Sequence, residues 1–250
     1  MTPLLAIIRV TIGQLTGRTR LIGFALLSLV PAVLLAAVSR SQQSSALDLE
    51  LGVLLVVPFF SLVIPITTLI LATAALGEER RDKTLSFLVL RPIGRWEIAL
   101  AKCIAAAGVS IGFTVLGALA LSLTWIAVGG SFDVFLPIVL GATLACVMYS
   151  TVFVLLGNVV VRATLVGLLY ILFFETIMAD NFDRLAGASI WRISLGATLD
   201  TMPASFPARA LLSPMGILIP SVGTALIVTA AVVTITIGIC TVLLNRTDAV

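Results

Sequence analysis

The sequence predicts an all-α integral membrane protein: six transmembrane helices, an N-terminal interfacial helix, a short cytoplasmic helix between the second and third spans, and short helices in an extracytoplasmic segment between the fifth and sixth. Three observations carry that prediction. The chain is 60% hydrophobic and 11% charged, with a mean hydropathy of +1.22, whereas soluble domains average roughly 45–50% apolar and about 25% charged. Its apolar residues gather in stretches near the roughly 20 residues that a helix needs to cross a bilayer, where every backbone N–H and C=O must be paired within the segment. Its cations are distributed unequally among the connections between those stretches. Residues 1–250 read as a single transmembrane domain.

Over residues 1–20, Leu4, Leu5, Ile8, Ile12 and Leu15 fall within about 100° of one helical face, while Arg9, Gln14, Thr16 and Arg18 lie elsewhere. That is the pattern of a helix lying in the membrane interface. Gly13 and Gly17 weaken helix propensity and keep a flexible N-terminus as the alternative. The start lacks the charged, apolar and small-residue order of a cleavable signal peptide, so none is expected. The spans are Leu21 to Val38, Leu51 to Leu76, Ile98 to Val128, Val134 to about Leu156, Ala163 to about Ala179, and Ile217 to Leu244. Pro31, Pro58 and Pro65 fall inside spans, where a missing N–H and a ring clash predict local kinks. Gly157, Asn158 and Arg162 leave only a tight turn between the fourth and fifth spans, and Gly108, Gly112 and Gly117 in the third suit close helix packing.

Orientation follows from Lys and Arg, which are enriched in short cytoplasmic loops and flanks. With both termini inside, eleven of the 15 cations are cytoplasmic, and Arg40, Arg184, Arg192 and Arg209 lie outside. The pI near 9.1 then reports topology, with no basic patch that points to nucleic acid.

The absence of histidine removes Ser-His-Asp hydrolysis, histidine zinc motifs and haem ligation through His. Cys103, Cys146 and Cys240 lie in spans at spacings that suit neither a metal site nor a disulfide framework, so they are expected to be packing residues. No G-x-x-x-x-G-K-[ST] phosphate loop occurs, so the chain is not expected to be an enzyme by itself, and a partner would have to supply any ATP hydrolysis. Glu175, in LLYILFFETIMAD, is the one acidic residue well inside an apolar run. Intramembrane carboxylates are costly, which makes it a possible pathway residue. Its distance from Ala179, about 6 Å of helix, favours an interfacial or neutral, hydrogen-bonded carboxyl. Residues 180–220 are too apolar for a solvated loop and too rich in proline and charge for a span. They predict short helices dipping into the outer leaflet, with a soluble loop as the alternative.

Charge is densest in GEERRDKTLSFLVLRPIGRWEIALAK, Gly77 to Lys102, which holds ten of the chain's charged side chains around the apolar block from Leu85 to Leu90. If the second span continues as helix into the cytoplasm, Glu78 and Glu79 can pair with Arg81 and Lys83. Asp82 or Thr84 can then cap a short helix bearing Leu85, Phe87, Leu88, Val89 and Leu90, which Arg91, Pro92 and Gly94 end. Gly94 as N-cap with Glu97 at the third helical position starts the third span. Residues 77–97 thus form a loop whose apolar turn needs a partner or the headgroup region to cover it.

The order of acidic pair, basic residues, Thr84-Leu85, leucine run, Pro92, Gly94-Arg95, Glu97 and Lys102 resembles the cytoplasmic loop of type-two ABC transporter permeases. Ala101 stands where that family often has glycine. The likeness takes in the whole architecture, from the interfacial helix to the segment between spans five and six. It implies that the short helix is a coupling helix docking in a cleft of a separate ATPase subunit. Leu85, Phe87, Leu88, Leu90 and Pro92 would form the docking surface and Glu78 the hinge at the end of span two. The chain would be the permease subunit of an ATP-binding cassette exporter, paired with a second copy or a homologous permease. ATP and magnesium would be bound by the ATPase, with no cofactor in this chain. The implied setting is the plasma (inner) membrane of a prokaryote, multi-pass, with both termini cytoplasmic. The family's substrates include drugs, lipids, polysaccharides and peptides, and the sequence does not choose among them. An ion-coupled secondary transporter is the alternative, although only Glu175 supplies an intramembrane charge for it. An intramembrane enzyme is more distant, for want of a nucleophile and base.

Overall fold

The computed structural model describes residues 3–41, 56–81, 94–178, 189–203 and 220–246, and the elements in them are all helical. Helix α1 (Pro3–Leu15) leads through Thr16 and Gly17 into α2 (Arg18–Ser41). A π-helical turn at Phe59–Val63 opens α3 (Ile64–Arg81), which is followed by α4 (Arg95–Ala127). A 3-10 turn at Phe132–Val134 opens α5 (Phe135–Val159). Helix α6 (Ala163–Leu169) continues as a π-helical stretch, Tyr170–Met178, and α7 (Ile190–Thr201) and α8 (Val222–Arg246) complete the order.

Among the described residues, five helical stretches are long and apolar enough to cross a bilayer: Arg18–Ser39, Val56–Gly77, Arg95–Ala127, Phe132–Val159 and Val222–Asn245. They match the expected first, second, third, fourth and sixth spans. The expected fifth is a shorter apolar helix over Ala163–Glu175. Pro58 and Pro65 bracket the π turn. Pro65 has no N–H to offer Ser61, and the ladder has widened just before it, so that Ile64 N–H bonds to Phe59 O. Helix α2 runs unbroken through Pro31.

Helix α5 is the axis of the bundle. Helices α3, α4, α7 and α8 pack on it, and α2 packs on α4. The α3 stretch buries 72% of its most apolar window and α8 only 11%, so α3 is surrounded by protein and α8 offers its apolar surface to lipid. Between helices in lipid, close fit and hydrogen bonds replace the hydrophobic drive, and glycines set the closest approaches. A Cβ on Gly141 of α5 would lie 1.8 Å from Thr198 Oγ1 and 2.6 Å from Ser194 O, so α7 seats there only because position 141 has no side chain. A Cβ on Gly157 would lie 2.9 Å from Thr73 O, so α3 and α5 meet backbone to backbone. Of the three glycines expected to pack α4, Gly117 does so, with Ser28 O and Phe59 2.8 Å from a Cβ placed there. Gly108 and Gly112 do not, because they lie on the exposed face of α4 with no atom within 4 Å of such a Cβ.

Helix α1 lies against α4 and α3. Leu4, Ile7 and Ile8 pack on Ile98 and Ala101, and Leu15 is buried, while Leu5 and Ile12 of the expected apolar face stay exposed.

Candidate functional site

Leu85, Phe87, Leu88, Leu90, Pro92 and Lys83 lie outside the described residues. The structure bears instead on the two roots of their segment. Glu78 lies in the last turn of α3. Gly94 is the N-cap of α4, with φ −59° and ψ 132°, and Glu97, at the third helical position as expected, bonds through its N–H to Gly94 O at 2.9 Å. Gly94 itself brings no side chain to cap this end. Arg95 Nη1 donates to Leu244 O at 2.9 Å, which ties the start of α4 to the last turns of α8. Between the roots, Lys102 Nζ meets Glu79 Oε1 at 2.5 Å, with Lys102 1% exposed and Glu79 14%. A lysine that reads in the sequence as one more flanking cation is thus inserted between α3 and α4. Removing one member of such a buried pair costs more than the pair itself contributes, because the other charge loses its compensation.

The second constellation surrounds Glu175. Its carboxyl is 1% exposed. Oε1 accepts from Tyr149 Oη at 3.0 Å, Tyr170 Oη at 3.1 Å and the Ile190 N–H at 3.2 Å, and Oε2 accepts from Ser189 Oγ at 2.5 Å. The Trp191 indole N–H donates to Glu175 O at 3.0 Å. Ser189 is also the N-cap of α7, accepting from Arg192 N. The rings around the carboxyl brace one another: Tyr149 stacks on Phe153 at 5.5 Å, Tyr170 on Phe174 at 5.3 Å, and Phe153 meets Tyr170 edge-on at 6.2 Å.

Of the two forms expected for Glu175, interfacial or hydrogen-bonded, the structure shows a hydrogen-bonded carboxyl set well inside the bundle. Tyr149 stands fourteen residues beyond Phe135, about 21 Å along α5 at 1.5 Å per residue, and so deep within that helix. The carboxyl meets Tyr149 there, and α7 begins directly against it. With four donors converging, the group acts as an acceptor that holds the N-terminus of α7. In the segment expected to hold short helices dipping into the outer leaflet, the described residues form α7, in which every residue from Ile190 to Leu199 is buried. Its hydroxyls are satisfied within the helix, Ser194 by Ile190 O and Thr198 by Ser194 O. Its far end is held by Asp200, whose Oδ2 accepts from Val222 N at 3.1 Å. Arg192, one of the four cations expected on the outer side, is buried with its guanidinium 5.5 Å from the Trp191 ring centroid.

Sequence reasoning missed both pairings. The signal for the second was present: the chain has two tyrosines, both in apolar spans, and a buried tyrosine hydroxyl normally finds a partner. The three cysteines are buried, and Cys146 Sγ lies 3.5 Å from Thr114 and 3.9 Å from Thr68, joining α3, α4 and α5.

A family model described as ABC-2 family transporter protein matches residues 18–179, well over half of the chain. No curated protein matches it at a significant level.

Proposed function

The chain belongs to the ABC-2 family of transporter proteins, and from that premise we propose that it is the permease subunit of an ATP-binding cassette exporter, driven by a separate ATPase chain. The observation that carries this reading is the family match over residues 18–179, which takes in α3, α4 and the segment between them. In this reading the segment holds the coupling helix, with Leu85, Phe87, Leu88, Leu90 and Pro92 in the ATPase cleft and Glu78 at the hinge. ATP and magnesium reside on the ATPase. The working unit has two permeases, a second copy of this chain or a homologue, in a prokaryotic plasma membrane.

Six crossings with both termini cytoplasmic fit the contacts. The Arg95 to Leu244 bond joins the start of α4 to the end of α8, and α1 lies against α4 and α3. Helix α5 ends beside the end of α3, where Gly157 faces Gly77. Helix α8 therefore begins on the opposite side, and the chain between Arg162 and Ser221 must cross once. Helix α6 rises to the level of Tyr149, and α7 starts from that level toward Val222, with Glu175 at the join. In this reading a tilt of the spans driven by ATPase closure would reach Glu175 through α5, on which its partner Tyr149 stands.

The test is purification in mild detergent from the native host together with the products of neighbouring genes. Recovery of an ATPase whose activity depends on the permease supports the reading. A permease recovered without one, and transporting in response to an ion gradient, would replace it with the secondary-transporter alternative.

A further inference from the structure

We infer that the junction of α3, α4 and α5 is a site for a bound water, held between the hydroxyls of Ser110 and Ser150 inside the bundle. Both serines are 0% exposed, and neither hydroxyl has a hydrogen-bond partner among the described residues. Other serines of the bundle behave differently. Ser28 donates to Ala25 O, Ser122 to Ala118 O and Ser194 to Ile190 O, each about one turn back along its own helix. Ser110 and Ser150 make no such bond, so their hydroxyls are turned away from their own backbones. A buried hydroxyl left unpaired is costly, and two that face one junction call for a shared partner.

The register of the three helices brings them together. Thr114 Oγ1 of α4 lies 3.5 Å from Cys146 Sγ of α5, and Thr68 Oγ1 of α3 donates to the same sulfur at 3.9 Å, so these three residues share a layer. Lys102 meets Glu79 farther along, back from Thr114 on α4 and forward from Thr68 on α3, so α3 and α4 run antiparallel. Gly77 against Gly157 makes α3 and α5 parallel. One turn from the Cys146 layer toward the Lys102 pair, four residues advance each helix about 6 Å and return it to nearly the same face. The next layer is therefore Ser110, Ser150 and Ala72. Ala72 is 0% exposed and brings only a methyl group, while Ala106 and Val154, also 0% exposed, close the layer beneath. A buried water needs about two to four polar partners. Two hydroxyls that each donate and accept, with the Cys146 sulfur one turn above, supply them.

The experiment uses the full-length chain in lipid nanodiscs and does not depend on what the chain transports. Cys103→Ala with Cys240→Ala leaves Cys146 as the one thiol, and its S–H stretching band is followed by infrared spectroscopy after transfer into deuterium oxide. Conversion to the S–D band within minutes is expected, because the bound water carries the exchange. Adding Ser110→Ala and Ser150→Ala should slow it at least about tenfold, since the thiol then exchanges only when the bundle opens. An S–H band that persists for hours without the serine changes, or a rate that those changes leave unaltered, would overturn the site. A second measurement needs no variant: a high-resolution map of the wild-type chain should show density within hydrogen-bond distance of both serine Oγ atoms. A map at that resolution with none there would also overturn it.

Discussion

Glu175 accepts from two phenols, a serine hydroxyl and a backbone N–H, so its role is separable from its charge. Glu175→Gln keeps an oxygen for Tyr149, Tyr170 and Ile190 and turns its amide toward Ser189, whose oxygen can accept. Most transport and an unchanged melting temperature are expected. Glu175→Leu strands four donors, each worth about 1–3 kcal/mol when buried, and should lower stability by at least about 3 kcal/mol in thermal unfolding. Loss of substrate-stimulated ATPase activity in a well-folded Gln variant would instead show that the carboxylate itself serves transport. The Lys102 to Glu79 pair makes a sharper prediction. Lys102→Met removes this partner from Glu79 and should cost about 3 kcal/mol, the low end for a buried pair because Glu79 keeps some solvent. Adding Glu79→Gln should recover part of that loss, and a double variant no more stable than the single one would refute a direct pairing. At this scale Glu175 was legible as a lone acid in an apolar run. Its partners were not, because Tyr149 is 26 residues away on another helix.

The helices differ in how they are held. Helix α7 sits on α5 through Gly141, and Gly141→Ala would push its new carbon against Thr198 and against the backbone at Ser194. A loss of about 1–3 kcal/mol from overpacking is expected in the melting curve. Thr198→Ala should restore little of it, since the Ser194 carbonyl remains. Full restoration would mean that the Thr198 side chain, rather than the helix backbone, sets the approach. The proposed coupling element is tested by Leu88→Asp, which in an ATPase cleft would forfeit roughly 1.5–3 kcal/mol of burial and add an unpaired charge. Recovery of the ATPase in pull-downs should fall at least tenfold, with membrane insertion intact and Ser86→Asp near normal. An unchanged recovery would remove the docking role from this turn. Five long apolar helices were legible from hydropathy alone. The burial of α7 was not, since Arg192, Ser194 and Thr198 are residue types usually found at surfaces, and the two hydroxyls enter the bundle only by bonding to carbonyls of their own helix.

For the whole molecule, the sidedness of the helix ends predicts a reporter pattern. A reporter active only in the cytoplasm should work when fused after Val89 or Val250 and fail after Ser44 or Ala204, and activity at Ala204 would break the six-crossing topology. The sequence by itself determined that this chain belongs in a bilayer, where its long spans lie and which family's loop it carries. It could do so because the transfer free energy of a span is a sum over neighbouring residues, and a loop motif is a local order of residue types. Only the tertiary structure decided that Lys102 meets Glu79 from 23 residues away, that both tyrosines meet Glu175, and that α7 lies inside the bundle. Those outcomes depend on the rotation and depth of each helix, which are set by backbone contacts such as Gly141 against Ser194 and Gly157 against Thr73. Hydropathy is nearly blind to both, because in lipid an apolar face is equally at home against a helix or against an acyl chain.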